Sequence, residues 1–330
     1  HFCALIGSTA IFATLSGSAI AEVTAQDVWT NWQDYAQGFG QTISAGSQST
    51  SGDTLVLRDV SVKYNLPDMQ MSGSIDLIEM QERSDGTVAI SMSPDYPVSI
   101  AITPPQGDSL DIALIMRQSG LSIVASGDSA AISYDYLAAE IAVDFDRFIV
   151  GDEDMSGAIG LKIDDVFGGY QVNTGDLRSI SSKMTAAALT ANFAFTDPDN
   201  GAVVDMNMSI ADLTSQSSAS FPVELDMENP TWLFDGTVSG GAEMASGNTQ
   251  MSMQVQDGND SFSLDATSAG GTFNVGIQEG IVNYGGGTKD IVYNLSGAQI
   301  PFPSVTLEIA EAAFNLIMPM GKSETPQDFG

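Results

Sequence analysis

With 42 acidic against 10 basic residues, the 330-residue chain carries a formal net charge of −32, which repels nucleic acid and anionic membrane surfaces. Its one cysteine (Cys3) and one histidine (His1) lie at the very start, so the rest of the chain has no thiol chemistry, disulfides, imidazole bases or usual soft-metal ligands. The length allows one large β domain or two ordinary ones, and the charge keeps a β-rich chain soluble.

Phe2 to Ala21 contains no charge and ends in Ala19-Ile20-Ala21, the apolar core and small-x-small cleavage site of a secretory signal peptide over residues 1–21. Gly7, Ser8, Thr9, Ser16, Gly17 and Ser18 make it a poor membrane span. No initiator Met or basic segment precedes it, so the n-region is expected to be missing.

Val23 to Phe39 predicts a helix. Thr24 is the N-cap, Asp27 completes a capping box, and Val23 with Val28 forms the hydrophobic staple. Val28, Trp29, Trp32, Tyr35, Ala36 and Phe39 fall on one face, which is expected to cover a patch of sheet.

After the Ser/Gly-rich link 44–52, the chain becomes a succession of alternating runs. Leu55, Leu57 and Val60 to Tyr64 begin it; Met69, Met71, Ile75 and Leu77 share one parity, followed by Val88, Ile90 and Met92. Further runs carry Val98 to Ile102, Leu110 to Met116, Leu121 to Ala125, and then Ile132, Tyr134 and Tyr136 ahead of Ile141, Val143 and Phe145. Alternate side chains of a strand point to opposite faces, so each run has one apolar side. Phe193 and Phe195 are expected to pair with Val204 and Met206 across the turn Asp197-Pro-Asp-Asn-Gly201, and Ala186 to Ala191 reads as strand despite its helix formers. The pattern returns from Met251 to Leu295. The expected fold is therefore mainly β: a long antiparallel meander forming a curved or partly closed sheet, with one N-terminal amphipathic helix. Residues 22–330 form one β-rich domain with a weak internal boundary near 229–241, and the pattern stops at Ser323 to Gly330 as if cut short.

Few constellations carry chemistry. The loop Asp152-Glu-Asp154-Met-Ser156-Gly157 matches the opening of a calcium-binding loop, but its twelfth position is Ile163 rather than a bidentate Glu, which favours a solvated turn. No nucleophile elbow, phosphate-binding loop, dinucleotide fingerprint or aspartic-protease triplet is present, and no catalytic residue or cofactor is implied. Methionine is the suggestive residue. Met69, Met71, Met92, Met116, Met206 and Met208, with Met251 and Met253, fall on apolar strand faces, where they serve either as core filler or as an adaptable surface for greasy ligands. One helix cannot cover so much apolar strand, so the sheet closes on itself or presents a groove.

Several segments carry a resemblance: Asp27-Val-Trp29-Thr-Asn-Trp32-Gln-Asp-Tyr35, Ala125-Ser-Gly-Asp128, Ser296-Gly-Ala-Gln-Ile-Pro-Phe-Pro303, Glu311 to Pro319, and Lys322 to Phe329. Together they resemble the domain of unknown function 2125 family of alphaproteobacterial envelope proteins, and more loosely the large β-groove proteins of Gram-negative envelopes. The resemblance implies export to the periplasm of a Gram-negative bacterium and assigns no functional residue. The expected function is a non-enzymatic module that binds a lipid or other apolar partner in a β-groove, with envelope proteins as further partners. The alternatives are a structural or protein-interaction scaffold with a sealed core and, third, a calcium-dependent binder or acidic-site hydrolase.

Overall fold

The computed structural model describes residues 22–154, 158–197, 200–223 and 237–319, so the expected leader, Asn229-Pro230 and the closing residues 320–330 lie outside the described residues. Helix α1 (Ala25–Gly38) leads into a single sheet. Its strands in chain order are β1 (Gln41–Ser51), β2 (Thr54–Leu66), β3 (Met69–Glu82), β4 (Val88–Met92), β5 (Asp95–Ile102), β6 (Leu110–Ser119), β7 (Ser122–Asp128), β8 (Ala131–Val150) and β9 (Glu153–Asp154). There follow β10 (Ala158–Thr174), β11 (Leu177–Thr196), β12 (Val203–Pro222), β13 (Ser239–Ser246), β14 (Thr249–Asp257), β15 (Asp260–Ser268), β16 (Gly270–Gln278), β17 (Ile281–Gly297) and β18 (Val305–Pro319). All pairings are antiparallel, and the fold is mainly β with one N-terminal helix.

The helix starts as its sequence dictates. The Thr24 hydroxyl accepts from the Asp27 amide, the Asp27 carboxylate accepts from the Thr24 amide at 3.0 Å, and Val23 and Val28 are both buried. It stops at Phe39, after which Gly40, at φ 72°, turns the chain into β1.

The antiparallel meander branches at its long strands. Long β3 pairs through its C-terminal half with β4 and through its N-terminal half with β5. Hairpin β5–β6 then reaches the C-terminal half of β8, while β7 pairs with the N-terminal half of β8 and with β4. The same wiring returns. Long β12 pairs with β13 and β14, β14 with β15, β13 with β16, and both β15 and β16 with β17. Hairpins β1–β2–β3 correspond to β10–β11–β12, so β1–β8 and β10–β17 are two copies of one eight-strand unit. β10 joins the units by pairing with β8, and β18 stands against β17 in the same way. Ser239 to Gly241 lie inside β13, which is hydrogen-bonded on both sides.

A line of bulges creases the sheet across its long strands. At Asp59, Asp165, Asp212 and Asp290 the backbone takes φ of 50–52°, in mid-strand, and the ladder skips one position. Aspartate tolerates this left-handed conformation better than most side chains. The strands alongside skip too, at Gly46, Asp76, Ala139, Ala187 and Ala310. Both strands of each pair skip there and the register is kept, so the side chains of both reverse parity together, and the apolar face survives only if apolar residues step by three. They do, at Leu57/Val60, Ile75/Ile78, Ile163/Val166, Ala186/Leu189 and Ile210/Leu213. One correction follows in β3: Ile78 and Met80, not Leu77, continue the face begun by Met69 and Met71, and both are fully buried.

Helix α1 lies across the strands on this apolar face. Its first amide, at Ala25, donates to Glu82 of β3 at 2.8 Å; Asn31 meets Tyr134 of β8, Asp34 meets Arg178 of β11, and Phe39 packs edge-on against Phe221 of β12. The contacts advance along the helix in that order, so its length of about 21 Å, with side chains reaching past both ends, bridges the strands from β3 to β12. The main core, with Val28, Trp29, Leu57, Ile78, Met80 and Ile132, fills the space between.

Candidate functional site

Under α1, on the helix side of the crease, the apolar face is a finished core. Tyr134 and Tyr170 stack with ring centres 4.5 Å apart, and the Tyr134 hydroxyl donates to Asn31 Oδ1 at 3.0 Å. Burial pushes both phenols well above the ordinary tyrosine range, and each lies close enough to other tyrosines for their charges to oppose ionisation further. Arg178 is the buried charged residue among the described residues. Its guanidinium donates to the Asp34 carbonyl at 3.3 Å and lies 6.0 Å from the Tyr35 ring. The last turn of α1 holds no basic side chain, so β11 supplies the cation that its negative end favours.

Beyond the crease the same face continues without a helix. Following ladder partners, one row runs from Met116 through Val143, Leu161, Ala191 and Met208 to Met251. The next holds Phe193, Met206, Met253, Leu264 and Leu295. Met69 and Met71 pair with Ile102 and Ile100 toward the other end. All of these are half-buried, and none is among the fully buried residues, which all lie on the helix side or on the crease itself. Five of the predicted methionines, Met69, Met71, Met116, Met206 and Met208, thus share this uncovered face. Met92 does not: it pairs with Ile78 and packs against the helix-covered core.

A trough of about 870 Å³, within the range of ligand-sized sites, spans β8, β10 to β13, β16 and the edge of β17, bordered by residues of both parities, Tyr170 and Met184 as well as Phe167, Lys183 and Glu243. None of the predicted methionines lines it; Met184 does. The signal that could have found it is the run Thr214-Ser-Gln-Ser-Ser-Ala-Ser220, a strand with no bulky side chain to fill the space over its neighbours.

The opposite face is polar over much of its area, although Leu137 and Phe167 lie paired and exposed on it. Arg117 pairs with Asp95 and Asp144, Arg147 with Asp111 at 3.0 Å, and Lys162 with Glu140 and Asp164. These exposed pairs add little stability but keep that side in water. Of the candidate calcium loop, Asp152 is exposed in a turn, Ser156 and the side chain of Asp154 lie outside the described residues, and no cluster of three His, Cys, Asp or Glu occurs among the described residues. No described helix is long and apolar enough to cross a membrane. No family model matches the chain, and neither a curated protein nor a solved structure matches it.

Proposed function

We propose that this protein is a non-enzymatic holder of an apolar ligand in the Gram-negative periplasm, with an acyl chain lying on the uncovered face beyond the crease. The observation that carries the reading is the fate of that face. β2 and β3 in one unit and β10, β11 and β12 in the other carry it through the crease, yet beyond the crease most of its side chains stay half-buried or exposed. A broad apolar surface kept intact but not packed by its own chain suits a ligand, and methionine suits one of variable shape. The uncharged leader and the resemblance to the domain of unknown function 2125 family support the envelope setting.

Native mass spectrometry with lipid extraction, on protein purified gently from periplasm, tests this. Bound phospholipid or fatty acid is expected, and the double variant Met116→Asp/Met208→Asp should lose it while its far-UV circular dichroism stays unchanged. A wild-type protein that is free of lipid, and that takes up no added fatty acid, overturns the reading.

A further inference from the structure

The side chains that stand around the trough of about 870 Å³ belong to the polar face, away from the proposed apolar ligand. Two successive ladder rows of that face border it. One holds Asp135, Lys183, Gln216 and Glu243, the other Ser181, Ser218, Gly241 and Gly276. Tyr136 and Tyr284, which stand on the apolar face over Gly168 and opposite Val275, do not border it. The floor is low because Gly241 faces Gly276 across the ladder, beside Ser218.

Three features mark this trough off from the rest of its face. Phe167, paired with Leu137, holds its ring in water at the trough's side, 60 % exposed among hydroxyls, amides and carboxylates. Gly169 leaves a gap between Asp135 and Lys183, and the Asp135 carboxylate leans into it, Oδ1 lying 2.9 Å from where a Cβ would stand. Arg117, Arg147 and Lys162 of the same face all pair with carboxylates, whereas Lys183 forms no ion pair among the described residues.

We propose that this trough binds a glycan, an extended β-linked chain of uncharged sugars. A sugar ring has an apolar face that stacks on an exposed aromatic ring such as Phe167. Its hydroxyls donate to carboxylates and accept from an ammonium or an amide, which Asp135, Lys183, Gln216, Glu243 and Asn274 supply. The trough crosses seven strands, β8, β10 to β13, β16 and β17, spaced about 4.8 Å apart, which is close to one strand per sugar of such a chain. A net charge of −32 disfavours an anionic polymer. Every strand beneath the trough is hydrogen-bonded on both sides, so it offers no free backbone to a polypeptide strand.

Isothermal titration calorimetry of the full chain with cellohexaose and with chitohexaose tests this. Saturable binding of at least one is expected, with maltohexaose, whose α-linked chain coils, binding at least about ten-fold more weakly. Phe167→Ala should weaken binding about ten-fold or more, the equivalent of ~1.4 kcal/mol, and Gln216→Ala/Glu243→Ala by a similar factor. Ser218→Tyr, which fills the floor, should abolish it. All four positions are exposed, so the variants should fold, which circular dichroism checks. Met116→Asp/Met208→Asp, on the other face, should bind the sugar as wild type does, so loss of the lipid reading leaves this one standing. The proposal is overturned if neither sugar binds saturably at millimolar concentration, if maltohexaose binds equally well, or if the Phe167 and Ser218 variants bind like wild type.

Discussion

Leu57 and Met208 lie on the same apolar face, on opposite sides of the crease. Leu57 is fully out of water beneath α1, whereas Met208, with apolar ladder partners on both sides, stays half-buried. The contrast separates two sources of burial: strand pairing shields each side chain from its flanks, and only a second layer seals it. Across the crease the protein has made the same surface and left off the seal.

The largest effect should come from disturbing the crease itself. Deleting Asp212 would put the β12 side chains on one side of the bulge out of phase with β11, and no folded protein is expected in a solubility and circular-dichroism assay. Asp212→Gly should fold normally because glycine accepts φ 50°, and Asp212→Val should lose about 1–2 kcal/mol in urea denaturation. Next, Trp29→Ala in the sealed half should cost about 3–5 kcal/mol by the same measurement. If it costs no more than a truncation beyond the crease, the contrast collapses.

The tyrosine pair offers a pH readout of the sealed half. In the unfolded chain Tyr134 and Tyr170 ionise near the ordinary value of 10.0, while in the folded protein burial holds both protonated well above it. The fold therefore keeps its full stability below pH about 10 and loses about 1.4 kcal/mol per pH unit per tyrosine as pH rises beyond it. Thermal melts in steps from pH 9 to 11 should show a steeper fall for wild type than for Tyr170→Phe. Arg178→Ala should cost about 1–3 kcal/mol, since it strips a buried donor and the cation from the end of α1. Met208→Ala, in the open half, should cost under about 1.5 kcal/mol because its methylenes are not fully buried. That variant sharpens the comparison further if it changes lipid content more than melting temperature.

Local signals in the sequence were read well because local physics sets them. The capping box, the pairing of Phe193 with Met206, and the strand at Ala186 to Ala191 all stand in the structure, while Pro198 and Asp199 of the turn between β11 and β12 lie outside the described residues. The step of three is visible at Leu57/Val60, yet in β3 strict alternation selects Leu77 over Ile78, because the position skipped at Asp76 lies opposite Asp59, a residue far off in the chain. The splitting of β3 and β12 onto two short strands each, and with it the duplication, depends on pairings between residues far apart in the chain. Nothing in adjacent residues encodes them. Met92 was misplaced for the same reason: its face was right, but which side of the crease it occupies is a matter of topology.

The shared strand between the two units makes the sheet a ruler. From β1 to β10, and again from β10 to β18, the ladder advances six strands, so each unit contributes about 29 Å at the usual spacing between neighbours. A tandem copy lengthens the apolar strip by that fixed pitch and leaves every contact inside the existing units unchanged. The reach of such a protein is then set by counting units, in steps, rather than by reshaping any one of them.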